Sequence, residues 1–141
     1  MPILATTNEF EDELDALAEN DPDDAGLIDA LIEELGADHD LLDVLSSEVP
    51  KWHYLFEPSF EIKRFVRCWQ SGRRVYVLKP YDENGSLIGY RVFIGHDVRS
   101  NEYFVLTVQP RVTCYDTTTA EYKSLCDRYD RLGISTIGQF R

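Results

Sequence analysis

Residues 73–111 read RRVYVLKPYDENGSLIGYRVFIGHDVRSNEYFVLTVQPR, and the way this stretch pairs with itself decides the fold. Three β-rich runs stand out: RRVYVLKPYD, LIGYRVFIGHD and EYFVLTVQPR. They are separated by Asp82-Glu83-Asn84-Gly85-Ser86 and Asp97-Val98-Arg99-Ser100-Asn101, both rich in turn-forming residues. The pattern predicts an antiparallel meander. If the turns close symmetrically about Asn84 and Arg99, Val77 faces Arg91 and Arg91 faces Thr107. Lys79 then faces Gly89, and Gly89 faces Gln109.

Side chains alternate across a strand. One face of the meander therefore carries Val75, Val77, Lys79, Gly89, Arg91, Phe93, Val105, Thr107 and Gln109, joined by Arg111 if the third strand runs straight past Pro110. The other carries Tyr76, Leu78, Tyr90, Val92, Ile94, Phe104, Leu106 and Val108. That second face is nearly all apolar and is expected to bury itself against helices, at about 1.5–3 kcal/mol per large side chain. On the first face Lys79, Arg91, Gln109 and Arg111 gather at one end, with Gly89 leaving room for a ligand to approach the backbone. Neighbouring cations repel unless an anion lies among them. A phosphate suits them, because arginine grips it with a two-pronged fork. The alternative is that these bases pair with acids such as Glu57 or Asp116, or stay solvated.

Upstream, residues 2–7 read as a short strand. Phe10, Leu14, Leu17 and Ala18 have helical spacing over residues 9–20, with Asn8 and Glu11 as a capping box. Asp21-Pro22 restarts a helix, and its stripe (Ala25, Ile28, Leu31, Ile32, Leu35) runs to a stop at Gly36. Leu41, Leu42, Val44 and Leu45 suggest a third, short helix. Residues 46–58 are irregular but aromatic, and Trp52, Tyr54, Leu55 and Phe56 are expected over the core. FEIKRFVRCW (60–69) fits strand and helix equally. Downstream, Thr118 and Glu121 form a second capping box, Tyr122, Leu125, Cys126 and Tyr129 mark a last helix, and Gly133 ends it.

The 141 residues, 43% of them hydrophobic, suit one domain with one core. The fold expected is α+β: an antiparallel meander sheet, with an N-terminal helical hairpin and a C-terminal helix packed on one face. The net charge of −12 is unevenly spread. Residues 1–58 hold 17 acids and one base, whereas residues 59–141 hold 13 bases and 9 acids. The asymmetry reads first as an acidic solvated helical surface attached to an ordinary sheet; the alternative is a basic half that contacts a polyanion while the acidic half limits non-specific binding. No apolar run is long enough for a membrane span, and the N-terminus lacks the pattern of a secretory signal. A cytoplasmic protein without membrane contact is expected. Three scattered cysteines (Cys68, Cys114, Cys126) and three scattered histidines (His39, His53, His96) fit buried thiols better than a disulfide framework or zinc site. No HExxH, P-loop, GxSxG or carboxylate metal cluster occurs, so no cofactor is expected.

Residues 73–115 resemble the catalytic sheet of the RelE/ParE toxin superfamily, small bacterial toxins of type II toxin–antitoxin systems. The stretches that carry the resemblance are Val75-Tyr76-Val77-Leu78-Lys79, Gly89-Tyr90-Arg91-Val92-Phe93 and Val105-Leu106-Thr107-Val108-Gln109-Pro110-Arg111, followed by Tyr115. The order of elements is also similar: strand, helical hairpin, meander, terminal helix. The resemblance implies a RelE-like mRNA interferase, an endoribonuclease acting on ribosome-bound message without a metal, with a cognate antitoxin as partner. It implies that Lys79, Arg91 and Arg111 position the scissile phosphate, that Arg111 stabilises the transition state, and that Tyr115 transfers a proton or stacks. Arg73, Arg74 and Gln109 are the further RNA contacts expected, and His96 lies at a strand end. Two departures stand against it: the acidity of the first half, which repels ribosomal RNA, and the extra segment 46–58. The competing reading is a non-catalytic interaction module on the same scaffold, binding a basic protein or inhibiting a target such as gyrase.

Overall fold

A computed structural model describes residues 2–48, 59–134, 136 and 137. Its elements run β1 (Ile3–Thr6), α1 (Asn8–Asn20), α2 (Pro22–Ala37), α3 (His39–Leu45), β2 (Phe60–Arg64), α4 (Val66–Gln70), β3 (Val75–Pro80), β4 (Tyr90–Asp97), β5 (Glu102–Pro110) and α5 (Ala120–Arg131). The strands form one sheet in the order β1-β5-β4-β3-β2. The chain is thus α+β with a mixed sheet. The meander is antiparallel as expected, but β1 lies parallel to β5. The aromatic segment Trp52 to Phe56 falls outside the described residues.

Local chemistry explains the helices. In α1 the cap is Thr7, one residue before the Asn8 expected, and its hydroxyl accepts from Phe10 N. At α5 the displacement is one residue the other way, where Thr119 rather than Thr118 is the cap and accepts from Tyr122 N. In α2, Ala25, Ile28, Leu31, Ile32 and Leu35 are all buried, and the helix passes through Gly36 to Ala37. The ambiguous stretch FEIKRFVRCW is both things in turn, a strand to Arg64 and a helical turn from Val66.

Helices cover both faces of the sheet, which corrects the expectation of a single covered face. Helices α1–α3 bury Phe60, Ile62, Tyr76, Leu78, Val92, Ile94 and Val108. On the opposite face α5 and α4 cover Val75, Val77, Phe93 and Leu106 with Leu125, Tyr129 and Cys68. The reason lies at Gly95. A β-carbon there would stand 3.1 Å from Ile134 Cδ1, 3.2 Å from Tyr129 Cδ2 and 3.3 Å from Leu106 Cδ1, so the bare backbone lets α5 settle onto the strand.

The ladders are displaced by two residues from the symmetric closure. Val77 faces Phe93, and Arg91 faces Gln109. The first turn itself closes about Asn84 as expected, with Tyr81 bridged to Leu87, and the displacement enters between Leu87 and Tyr90. At the second turn Asp97 faces Glu102, one residue off the symmetric closure, and the bulge at Phe93/Ile94 adds the other. An even displacement keeps every side chain on its expected face. A bulge between Phe93 and Ile94 does not: beyond it Ile94 faces Val105. Val105 therefore joins the α1–α3 side, and Leu106 and Phe104 the α5 side, the reverse of the sequence expectation.

Strand β1 covers only the first part of β5. Beyond it, side chains take over the free edge. Thr7 Oγ1 donates to Val105 O (2.9 Å). Arg128 Nη1 donates to Leu106 O (2.9 Å). The Glu13 carboxylate accepts from Val108 N (3.3 Å) and Thr107 Oγ1 (2.8 Å), and pairs with Arg128 through both oxygens at 3.0 Å. An ion pair from two helices thus closes a strand edge that would otherwise invite another strand.

Candidate functional site: a cationic cavity on the sheet

Helix α5 covers the apolar end of its face and leaves the polar end open. There a cavity of about 470 Å³ is lined by Lys63, Arg67, Lys79, Arg91, Arg111 and Tyr115, with Val66 and Leu87 at its mouth. The four residues expected to share a site, Lys79, Arg91, Arg111 and Tyr115, come from two strands, β3 and β4, and the turn after β5, and all line this one cavity.

Each is held differently. Lys79 sits near the end of β3, paired with Glu61 of β2. Gly89 lies outside β4, and Arg111 N donates to its carbonyl at 2.9 Å, so Arg111 rather than Lys79 is its neighbour. The chain then turns, with Cys114 N bonded to Pro110 O (3.0 Å) and the buried Cys114 thiol against Arg111 O (3.6 Å). The turn carries Tyr115 back over the sheet, edge-on to Phe65 at 6.1 Å. Phe65 also meets Phe93 (5.2 Å) and Tyr122 (5.9 Å), so an aromatic cluster supports the cavity.

Arg91 is 2% exposed. Its Nη1 donates to Ile88 O (2.8 Å) and Tyr90 O (2.9 Å), and its Nε is buried without a hydrogen-bond partner among the described residues. Burial pushes the Tyr115 phenol above its ordinary value, against the opposing pull of Arg91 and Arg111. Burial lowers the Lys79 amine; Glu61 opposes this, and Lys63 and Arg91 add to it. Glu61 would be raised by burial, but the hydrogen bond from Lys63 and the charges of Lys79 and Lys63 bring it below the usual carboxylate value. The result is a phenol that holds its proton, an amine that releases one more readily, and fixed cations beside both.

Other expected contacts lie elsewhere. Gln109 shares the face of Arg91, but its Nε2 donates to Glu121 O of α5 (3.3 Å). Arg73 is paired two-pronged with Asp130 (3.0 and 2.9 Å). Arg74 lies over the Trp69 ring at 5.1 Å, beside Arg64 at 4.4 Å. Both precede β3 at the end away from Lys79. His96 is buried, stacked on Tyr103 at 4.1 Å and bonded to Asn101 (3.2 Å). Asp116, an expected counter-charge, accepts from Thr118 N (2.9 Å) and its hydroxyl (2.6 Å) instead. Glu57 lies outside the described residues. The three cysteines are buried, and burial holds the Cys68 thiol well above its ordinary value.

Sequence reasoning missed Lys63 and Arg67. The signal was present in FEIKRFVRCW, because a strand reading alternates Phe60 and Ile62 inward with Glu61 and Lys63 outward. Only the pairing of β2 with β3 shows that outward here means toward Lys79. Comparison of the chain with family models, curated proteins and solved structures gave no match. The functional reading therefore rests on the cavity and its chemistry. Among the described residues, no helix is long and apolar enough to cross a membrane.

Proposed function

We propose that the chain is a toxin-type endoribonuclease of the RelE/ParE kind, cutting mRNA by attack of a ribose 2′-oxygen on the neighbouring phosphorus. The observation that carries this reading is the convergence of Lys79, Arg91, Arg111 and Tyr115 on one open cavity. In-line attack needs three things: removal of the 2′-proton, neutralisation of the pentavalent phosphorane, and a proton for the departing 5′-oxygen. Lys79, with its weakened hold on a proton, is suited to the first. Arg111, with Arg91 behind it, is suited to the second, since preorganised cations facing developing charge contribute most of such rate enhancement. Tyr115, which keeps its proton to high pH, is suited to the third. The cleavage calls on no group beyond these.

The acidic helices α1–α3 pack on the face opposite the cavity. RNA would therefore approach from the α4–α5 side, with the sheet between substrate and acids. This arrangement eases the conflict between an acidic chain and a polyanionic substrate. It also leaves the acidic surface free for a protein partner such as an antitoxin. A small DNA-binding protein encoded beside this chain would support that partnership.

The test is incubation of purified protein with messenger RNA, with and without ribosomes, and mapping of the cut ends. We expect internal cuts with 2′,3′-cyclic phosphate ends, and arrest of growth on expression, both lost in Arg111→Ala. Intact message together with normal growth at high wild-type expression would end the proposal. A second reading, a non-catalytic module that binds a basic protein or inhibits gyrase, draws on the exposed acids of α1 and α2, among them Asp12, Asp15, Glu19 and Glu33. It predicts partner binding that survives substitution of Lys79, Arg91 and Arg111.

A further inference from the structure

The arm formed by β2 and α4 lies outside the meander yet closes one side of the cavity. We infer that Lys63 and Arg67 on this arm form a second phosphate seat, so that the cavity holds two consecutive phosphates of a single-stranded RNA. This deepens the ribonuclease reading and rests on it.

Three observations carry the inference. The first is width. Lys63, opposite Val77 on β2, projects on the same face as Lys79, and Arg67 stands on the exposed side of α4. Arg111 follows β5, three strands away. Three strand spacings span about 14 Å. A phosphate drawn to the Arg111 side therefore leaves Lys63 and Arg67, on the far wall, to meet the next one along the strand.

The second is charge. Four arginines outside the cavity are matched by acids of the chain, Arg73 by Asp130, Arg99 by Asp97, Arg128 by Glu13 and Arg131 by Glu9, while Arg74 lies over the Trp69 ring. Of the six cationic residues lining the cavity (Lys63, Arg64, Arg67, Lys79, Arg91 and Arg111), Lys63 alone forms a salt bridge among the described residues, to Glu61 at 2.9 Å. In a protein of net charge −12, one small region has been left positive.

The third is the mouth. Val66 is 61% exposed, Tyr115 45% and Leu87 41%, and all three line the same cavity. Apolar surface beside a cationic floor suits the flat faces of unpaired bases, which a duplex hides within its stack.

The experiment measures binding of a 2′-O-methyl hexanucleotide, which lacks the attacking hydroxyl, to the full chain over a range of salt concentrations. Arg67→Gln leaves the Lys63–Glu61 pair untouched. We expect it to weaken binding about five-fold at low salt. Lys63→Gln with Arg67→Gln should weaken binding more than ten-fold, and lower the slope of log K against log salt by about 0.7, the loss of one single-strand phosphate contact. Wild-type affinity and slope in both variants would overturn the second seat while leaving the ribonuclease reading standing. A wild-type protein that binds no oligonucleotide would overturn both. Unchanged circular dichroism is expected, because Lys63 and Arg67 are exposed.

Discussion

Arg91 shows how one side chain is committed twice. Its Nη1 is bonded to the carbonyls of Ile88 and Tyr90, and its charge opposes the burial that raises the Tyr115 phenol. Substitution therefore removes a cation and takes a donor from two backbone carbonyls. Arg111 is exposed and its side chain has no such duty, which makes it the cleaner probe. Arg111→Ala should lower the cleavage rate by about 10²–10³, with the urea midpoint unchanged. Tyr115→Phe should lower it by about 10². Its pH profile is more telling. Lys79 must lose its proton to act as base and Tyr115 must keep its own to act as acid. Activity should rise with pH through the lowered amine value and fall only above the ordinary phenol value near pH 10. The phenylalanine variant should lack the alkaline fall. An unchanged alkaline limb in a rate-versus-pH series would remove Tyr115 from the proton path.

Among the elements, two junctions hold the site in place. One is the edge of β5, where Glu13 of α1 accepts from Val108 N and Thr107 and pairs with Arg128 of α5. Glu13→Ala leaves the Val108 amide without its acceptor and strips Arg128 of its two-pronged carboxylate, with Leu106 O and Glu9 remaining to it, and should cost about 2 kcal/mol in urea unfolding. The other is the contact of α5 with Gly95, where three side-chain atoms stand within 3.3 Å of any added β-carbon. Gly95→Val should force α5 outward at a cost of about 1–3 kcal/mol. Because α5 also carries Tyr122 against Phe65, the same variant should slow cleavage without touching a cation. A Gly95→Val protein with wild-type stability would show that α5 does not need that close approach.

For the whole molecule, the sheet acts as a partition. Seventeen acids belong to residues 1–58, and the cavity opens on the side away from α1–α3. Their field still reaches long polyanions that extend past the edge of the protein. Neutralising exposed acids (Asp15→Asn, Glu19→Gln, Glu33→Gln together) should raise affinity for long RNA several-fold at low salt. Affinity for a hexanucleotide seated in the cavity should barely change. A retardation series at two salt concentrations distinguishes the two effects.

The sequence alone determined what depends on local chemistry and period. The helices followed from stripes such as Ala25, Ile28, Leu31 and Leu35, the meander from its turn residues, and the shared face of Lys79 and Arg91 from two-residue alternation, which survives any even slip of register. The tertiary structure decided what depends on distant partners. It set β1 parallel to β5, exchanged the faces of Val105 and Leu106 through a bulge, and laid α5 over Gly95. It drew Gln109, Arg73 and Arg74 to other partners, and brought Lys63 and Arg67 to the cavity instead. These outcomes turn on which strand or helix arrives alongside, and a residue's immediate neighbours in the chain carry no record of that.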